Sequence, residues 1–249
     1  MIPNPILKVL STIQKAQVEA LLVGGQACVV YGAAEFSRDT DFVILAEADN
    51  LDRFKSVLKE LQAERIAVPE FKAEYLARGH AVHFRCGHPD VAGLRIDVMS
   101  KLRGVDSFEE LWSRKLSITD GEGNQIAVLS LPDLVKAKKT QRAKDWPMIQ
   151  RLVEVDYITH RMRASAEKRE FWFRELRSPE LLIELCARHP EECQRLTALR
   201  PLLAFAMQGD VRHLEEELMW EEKRERDQDR QYWEPLRKEL EAMRHARLS

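Results

Sequence analysis

Val23-Gly24-Gly25-Gln26, followed after a short gap by Ser37-Arg38-Asp39-Thr40-Asp41-Phe42-Val43-Ile44, links two apolar runs through a double glycine and a pair of acids. Ala20 to Val23 is short, apolar and stopped by Gly24-Gly25, which predicts a buried strand turning sharply into a helix over Gln26 to Tyr31. A glycine pair at such a turn lets the backbone approach an anion closely and aims helix N-terminal amides at it, so phosphate is the natural guest. Asp41 to Leu45 reads as a second buried strand. Asp39 and Asp41 stand two apart in an extended context, so both carboxylates project from one face. Paired hard oxygen ligands suit Mg²⁺ or Mn²⁺.

Outward from this segment the pattern is α/β. Asn4-Pro5 followed by Ile6, Leu7, Val9, Leu10 and Ile13 predicts an amphipathic helix ending near Glu19. Leu51, Phe54, Val57, Leu58 and Leu61 recur at helical spacing. Ala81 to Arg85 and Leu94 to Met99 read as strands on either side of the turn-rich Gly87-His88-Pro89-Asp90, and Ser117 to Thr119 with Gln125 to Leu129 reads as a hairpin joined through Asp120-Gly121-Glu122-Gly123-Asn124. Asp97 is a lone charge in an otherwise apolar strand, and an ionised carboxylate there needs a partner. If its strand pairs beside the one carrying Asp39 and Asp41, the three carboxylates meet around a divalent cation, as two-metal phosphoryl transfer requires. Beyond residue 130 helix formers are punctuated by Pro147, Pro179, Pro190, Pro201, Gly209 and Pro235. The expected division is an α/β domain over 1–157 and an all-helical C-terminal extension over 158–249.

Composition narrows the classes. In 249 residues, 39 Lys+Arg oppose 41 Asp+Glu for a net charge of −2, so no global basic field points to nucleic acid or an acidic membrane, and any such contact needs a local patch. Four cysteines form no CxxC pair and are too sparse for a disulfide framework, which suits reduced thiols in a cytoplasm. The start, Met1-Ile-Pro-Asn-Pro-Ile-Leu-Lys, lacks the pattern of a secretory signal. The most apolar stretch, Ala20 to Ala34, is broken by Gly24, Gly25, Gln26 and Gly32 and is shorter than the ~20 residues a bilayer span needs.

The order hydrophobic residue, Gly24-Gly25, a gap holding a helix, Asp39-x-Asp41 and Asp97 on a later strand resembles the DNA polymerase β-like nucleotidyltransferase superfamily over roughly Met1 to Tyr157. The segment Asp133-Leu134-Val135 … Lys138 … Arg142-Ala143-Lys144-Asp145 is similar to a helix of its bacterial AbiEii/MenT-like branch. The resemblance implies a small mixed sheet flanked by helices and transfer of a nucleoside monophosphate from an NTP, such as ATP, to a hydroxyl acceptor. That acceptor could be RNA (tRNA included), a protein or a small molecule. It also implies Mg²⁺ or Mn²⁺ on Asp39, Asp41 and Asp97, which serve as the catalytic carboxylates. Gly24, Gly25, Gln26, Arg38, Lys138 and Arg142 then bind nucleotide, the last two from one helical face. A second register, with Asp41 as the first metal carboxylate and Val43 in place of the second, leads to the alternative of an inactive binding protein of this fold, including a member of a toxin–antitoxin-like pair.

Other features have plainer readings. His80, His83, Cys86 and His88 crowd together, yet strand alternation sends His83 and Cys86 to opposite faces and their spacing matches no zinc pattern. Phe171-Trp172-Phe173, flanked by Arg169 and Arg174, could stack bases but suits the core of a helical module better. Cys186 and Cys193 read as small apolar groups. Lys136, Lys138, Lys139, Arg142 and Lys144, continued by Arg161, Arg163, Lys168 and Arg169, could form a positive surface for RNA, unless Glu167, Glu170 and Glu175 neutralise the second segment.

Overall fold

The structure, a computed structural model, describes residues 4–121 and 123–248; Met1 to Pro3, Glu122 of the hairpin turn and Ser249 lie outside it. Helix α1 (Asn4–Lys15) buries Ile6, Val9, Leu10 and Ile13, the apolar stripe of its sequence. It stops short of the expected Glu19. Gln17 turns left-handed at φ 54°, and Val18 N donates back to Ile13 O at 3.1 Å. Glu19 is instead drawn out straight by Asn50, whose side chain bonds both its N (2.8 Å) and its O (3.0 Å).

Next come β1 (Ala20–Val23), α2 (Gly24–Val30), β2 (Asp39–Ile44), α3 (Ala48–Glu60), β3 (Ala63–Arg65), α4 (Ala73–Arg78), β4 (Val82–Cys86) and β5 (Arg95–Met99). They are followed by α5 (Phe108–Ser113), β6 (Leu116–Thr119) and β7 (Gln125–Val128). The seven strands form one mixed sheet in the order β3-β4-β5-β2-β1-β7-β6. β1–β2, β4–β5, β3–β4 and β6–β7 are antiparallel, while β2–β5 and β1–β7 are parallel. The fold class is thus the expected α/β mixture. Phe42, Ile96, Val98, Val82 and Phe84 are buried on one face, where Phe84 meets Phe54 of α3 at 6.5 Å and Phe71 at 5.6 Å.

After β7 the described chain is helical: α6 (Leu131–Ala137), α7 (Asp145–His160), α8 (Ala166–Glu175), α9 (Pro179–Arg188), α10 (Pro190–Leu196), α11 (Leu203–Gln208) and α12 (Val211–Leu248). The chain divides into two compact units, Met1–Ala137 with Gln231–Ser249 and Lys138–Arg230. Neither cut coincides with the expected Tyr157. In the first unit the end of α12 is tied to the α4 corner through Glu239, which pairs with Arg78 and, at 2.8 Å, with buried His80. In the second, Trp172 and Phe173 are buried, and Trp172 Nε1 donates to Asp156 at 2.8 Å. Arg200 is buried and bonds Glu221 at 2.8 Å as well as Phe173 O and Leu176 O. Among the described residues no helix is long and apolar enough to cross a membrane.

Candidate active site

Register brings the acids together. β2 and β5 run parallel with Asp41 opposite Asp97 and Asp39 opposite Arg95, so all four side chains leave one face of the sheet. Asp39 and Asp41 are half-buried while Val43, next on that face, is wholly buried. The accessible end of the strand therefore carries Asp39 and Asp41, the pair that the favoured register requires.

The double glycine abuts this pair. On β1, Val23 lies opposite Asp41. Gly24 follows at φ 65°, where a Cβ would fall 1.9 Å from Asp41 Oδ2. Only glycine leaves room for that carboxylate and adopts that backbone without strain. A Cβ on Gly25 would fall 2.3 Å from Ser37 Oγ. The segment leading into β2 is fixed there, because Gln26 Nε2 donates to Ser37 O at 2.8 Å and Ser37 Oγ donates to Asp39 O at 3.2 Å. Gln26 is fully buried and its Oε1 lacks a hydrogen-bond partner. The helix begins at Gly24 itself, two residues before the expected Gln26. Arg38 is exposed beside the pair.

Asp97 is held by two side chains that sequence reasoning left out of the site. Arg95 Nε donates to Asp97 Oδ1 at 2.7 Å, and His83 Nδ1 lies 2.8 Å from the same oxygen. Burial resists ionisation of Asp97, but the bonds from His83 and Arg95 outweigh it and hold the carboxyl below its usual range. An ionised carboxylate only accepts, so His83 carries its proton on Nδ1, which has no lone pair left for Arg95 Nη2 at 3.1 Å. The bond to Asp97 pushes the Arg95 pKa up against partial burial, helped by the charges of Asp97, Asp39 and Asp41. Arg95 was legible from strand alternation two residues before Asp97. His83 was not, since its approach depends on the β4–β5 register, which sets it opposite Asp97.

The donor set suits a hard divalent ion, with two carboxylates on one strand face and a third level with them on the neighbouring strand. It is not gathered around a point: among the described residues no group of three or more His, Cys, Asp or Glu is placed to hold a metal. The Asp97 carboxylate is directed at Arg95 and His83.

Lys138 and Arg142 belong to the second unit and do not share a helical face, because α6 ends at Ala137 and α7 starts at Asp145. Buried Asp145 gathers the intervening turn, bonding Arg142 Nε at 2.8 Å and Thr140 Oγ1 at 2.6 Å, with Lys138 Nζ at 3.5 Å. Much of the basic run is likewise paired: Lys139 with Glu175, Arg161 with Glu184, Lys168 with Asp156 and Arg169 with Glu192. The histidine and cysteine crowd disperses, with His80 bound to Glu239, His83 to Asp97 and His88 beside Asp90, while Cys86 is buried. Cys186 and Cys193 are buried free thiols.

No protein-family model matches the chain, and no curated protein matches it in sequence.

Proposed function

We propose that the protein is a metal-dependent nucleotidyltransferase of the DNA polymerase β-like superfamily, moving a nucleoside monophosphate from an NTP to a hydroxyl on RNA, a protein or a small molecule. The observation that carries this reading is the meeting of three separate sequence features at one corner of the sheet. Asp41 lies against Gly24 and level with Asp97.

Asp39, Asp41 and Asp97 are the residues that would hold Mg²⁺ or Mn²⁺. When bound, the ion offsets phosphate charge and favours in-line displacement at the α-phosphorus. Gly24 leaves room for the Asp41 carboxylate and Gly25 for the Ser37 hydroxyl, and Arg38 adds an exposed cation beside them. Gln26 and Ser37 fix the backbone that delivers Asp39. Asp97, ionised and level with Asp41, would accept the proton of the attacking hydroxyl as that oxygen bonds to the α-phosphorus and pyrophosphate leaves. The four free cysteines support a reducing, cytoplasmic setting.

The alternative, a binding protein of the same architecture without catalysis, draws on the engagement of Asp97 by Arg95 and His83. Equilibrium titration with each Mg²⁺-NTP, with and without EDTA, tests the shared premise. Binding by wild type that EDTA abolishes and Asp41→Asn weakens is the expected outcome, and no binding to any NTP ends the proposal. Transfer activity then separates the two readings. On the catalytic one Asp97→Asn keeps much of its nucleotide affinity and loses transfer, whereas transfer unchanged in Asp97→Asn refutes the role given to that residue.

A further inference from the structure

The sheet has two edges, and they are built differently. β3, at one end, is three residues long and carries Glu64 and Arg65, with Arg65 Nη1 bonded at 3.2 Å to both Ala67 O and Pro69 O. Brevity and charge of this kind keep an edge from pairing with other chains. β6, at the other end, reads Leu116-Ser117-Ile118-Thr119 and holds no charge, proline or glycine. Leu116, Ser117 and Thr119 are exposed. At the hairpin turn Asp120 N donates to Asn124 O at 3.0 Å, which fixes the phase of the β6–β7 ladder. Leu116 and Ile118 therefore turn their backbone groups toward β7, while Ser117 and Thr119 turn theirs outward. Among the described residues none bonds the outward N–H and C=O groups of Ser117 and Thr119.

A second copy of the same strand fits this edge. Two antiparallel β6 strands related by a two-fold axis normal to the sheet pair only residues that share a face, so the axis must pass through a residue rather than between two. With the axis at Ser117, Leu116 stands against the partner's Ile118 and Arg114 against the partner's Asp120. Aliphatic side chains then meet near the centre and opposite charges at the ends, both favourable as cross-strand pairs. Arg114 and Asp120 keep bonding capacity beyond what they use within the chain, on Asp106 and Asp133 and on Asn124 respectively. Moving the axis to Ile118 sets Leu116 against the partner's Asp120, and moving it to Leu116 sets Ile118 against the partner's Arg114. We propose that the β6 edge is a homodimer interface, joining two copies antiparallel about Ser117 into one continuous sheet. Ser117 N–H then donates to the partner's Ser117 C=O, and Thr119 N–H to the partner's Lys115 C=O. The axis preserves the faces of the sheet, so the Asp41 corners of both copies open on one side. A single strand pair makes a small interface, which places the dimer among the weak, concentration-dependent ones.

The test is sedimentation velocity of the full chain over a concentration series, with Ser117→Pro beside wild type. Proline is tolerated at an edge position whose N–H faces solvent, so Ser117→Pro should melt as wild type does at high dilution. Wild type should pass from monomer to dimer as concentration rises. Ser117→Pro should need at least about 10-fold more protein for the same dimer fraction, through the hydrogen bonds lost at the axis. Cysteine variants give a second reading that does not depend on the proline. Residues in a hydrogen-bonded antiparallel pair have Cα atoms about 5.5 Å apart, within disulfide reach. Two copies of residue 119 would instead stand roughly 13 Å apart along the strands. Under mild oxidation Ser117→Cys should therefore cross-link into a dimer and Thr119→Cys should not, and the four native cysteines are buried and do not compete. Wild type that stays monomeric throughout the series overturns the interface, as does a dimer that Ser117→Pro forms as readily as wild type. Equal cross-linking by the two cysteine variants overturns the register about Ser117 and the proposal with it.

Discussion

Gly24→Ala is the sharpest probe of the corner where glycine and aspartate meet. Two penalties act on it. The residue sits at φ 65°, and its new methyl would lie 1.9 Å from Asp41 Oδ2, 2.6 Å from Cγ and 2.9 Å from Cβ. Holding an alanine in the left-handed region costs roughly 1–2 kcal/mol. Forcing the Asp41 side chain out of its rotamer adds about 0.5–1.5 kcal/mol, and more where the strand itself has to yield. Gly104→Ala is the matched control, because Gly104 also has positive φ (77°) but nothing within 4 Å of the added methyl. Both variants stiffen the unfolded chain alike, so that effect cancels in the comparison. Urea unfolding should therefore show Gly24→Ala less stable than Gly104→Ala by about 1 kcal/mol, the share that belongs to Asp41. Combining Gly24→Ala with Asp41→Ala should recover much of that difference as a coupling between neighbours. Metal-dependent NTP binding should fall with Gly24→Ala and stay at the wild-type level with Gly104→Ala. Equal stabilities for the two glycine variants, together with undiminished NTP binding by Gly24→Ala, would refute the claim that Gly24 exists to seat Asp41.

Further expectations concern the support around the site. Asp133 is buried and accepts from Arg114 at 2.7 and 2.8 Å and from Ser130 at 2.6 Å, so Asp133→Asn should lower unfolding free energy by about 1.5–3 kcal/mol. Burial opposes its charge, but these bonds hold the Asp133 carboxyl below its usual range. Its contribution is thus present above about pH 4 and lost as pH falls through the lowered folded value, so the acid limb of a stability–pH curve should be shallower in Asp133→Asn. Phe84→Ala removes a buried ring between Phe54 and Phe71 and should cost about 3–5 kcal/mol in urea unfolding. Lys139→Glu would set a second carboxylate against Glu175, now 2.8 Å from Lys139 Nζ, and should lower the melting temperature. For an RNA acceptor the informative pair is instead exposed Lys144→Glu with Arg163→Glu, which should weaken tRNA binding in low salt at unchanged melting temperature. No tRNA binding by wild type in low salt would remove RNA from the acceptor classes.

Where periodicity and punctuation were strong, the sequence was enough. The strand before Gly24, the strands carrying Asp39, Asp41 and Asp97, and the hairpin after Lys115 all form close to their expected limits. Two helical stretches differ for physical reasons. α1 ends early because Asn50, distant in sequence, claims the backbone of Glu19. Lys138 to Lys144 leaves the helix because buried Asp145 draws in Thr140, Arg142 and Lys138. β3 is three residues long and too short for alternation to register. α5 did leave a trace in Ser107-Phe108-Glu109-Glu110, a capping box that closes through Ser107 and Glu110.

The site illustrates the same limit more sharply. Residue types and spacing placed three carboxylates in the right order, because two positions on one strand face follow from a period of two. What order could not supply was the pairing between strands. Only the β4–β5–β2 register sets His83, Asp97 and Asp41 in one row and Arg95 beside Asp39 in the next. Strand alternation puts Arg95 on the Asp97 face, but the sequence does not show which carboxylates stand beside it on the next strand. Once the register is known, it is a fixed charge within bonding distance of a carboxylate that the proposed chemistry needs free. That contact is set by cross-strand geometry alone, so it can be tested by changing Arg95 while all three carboxylates are kept.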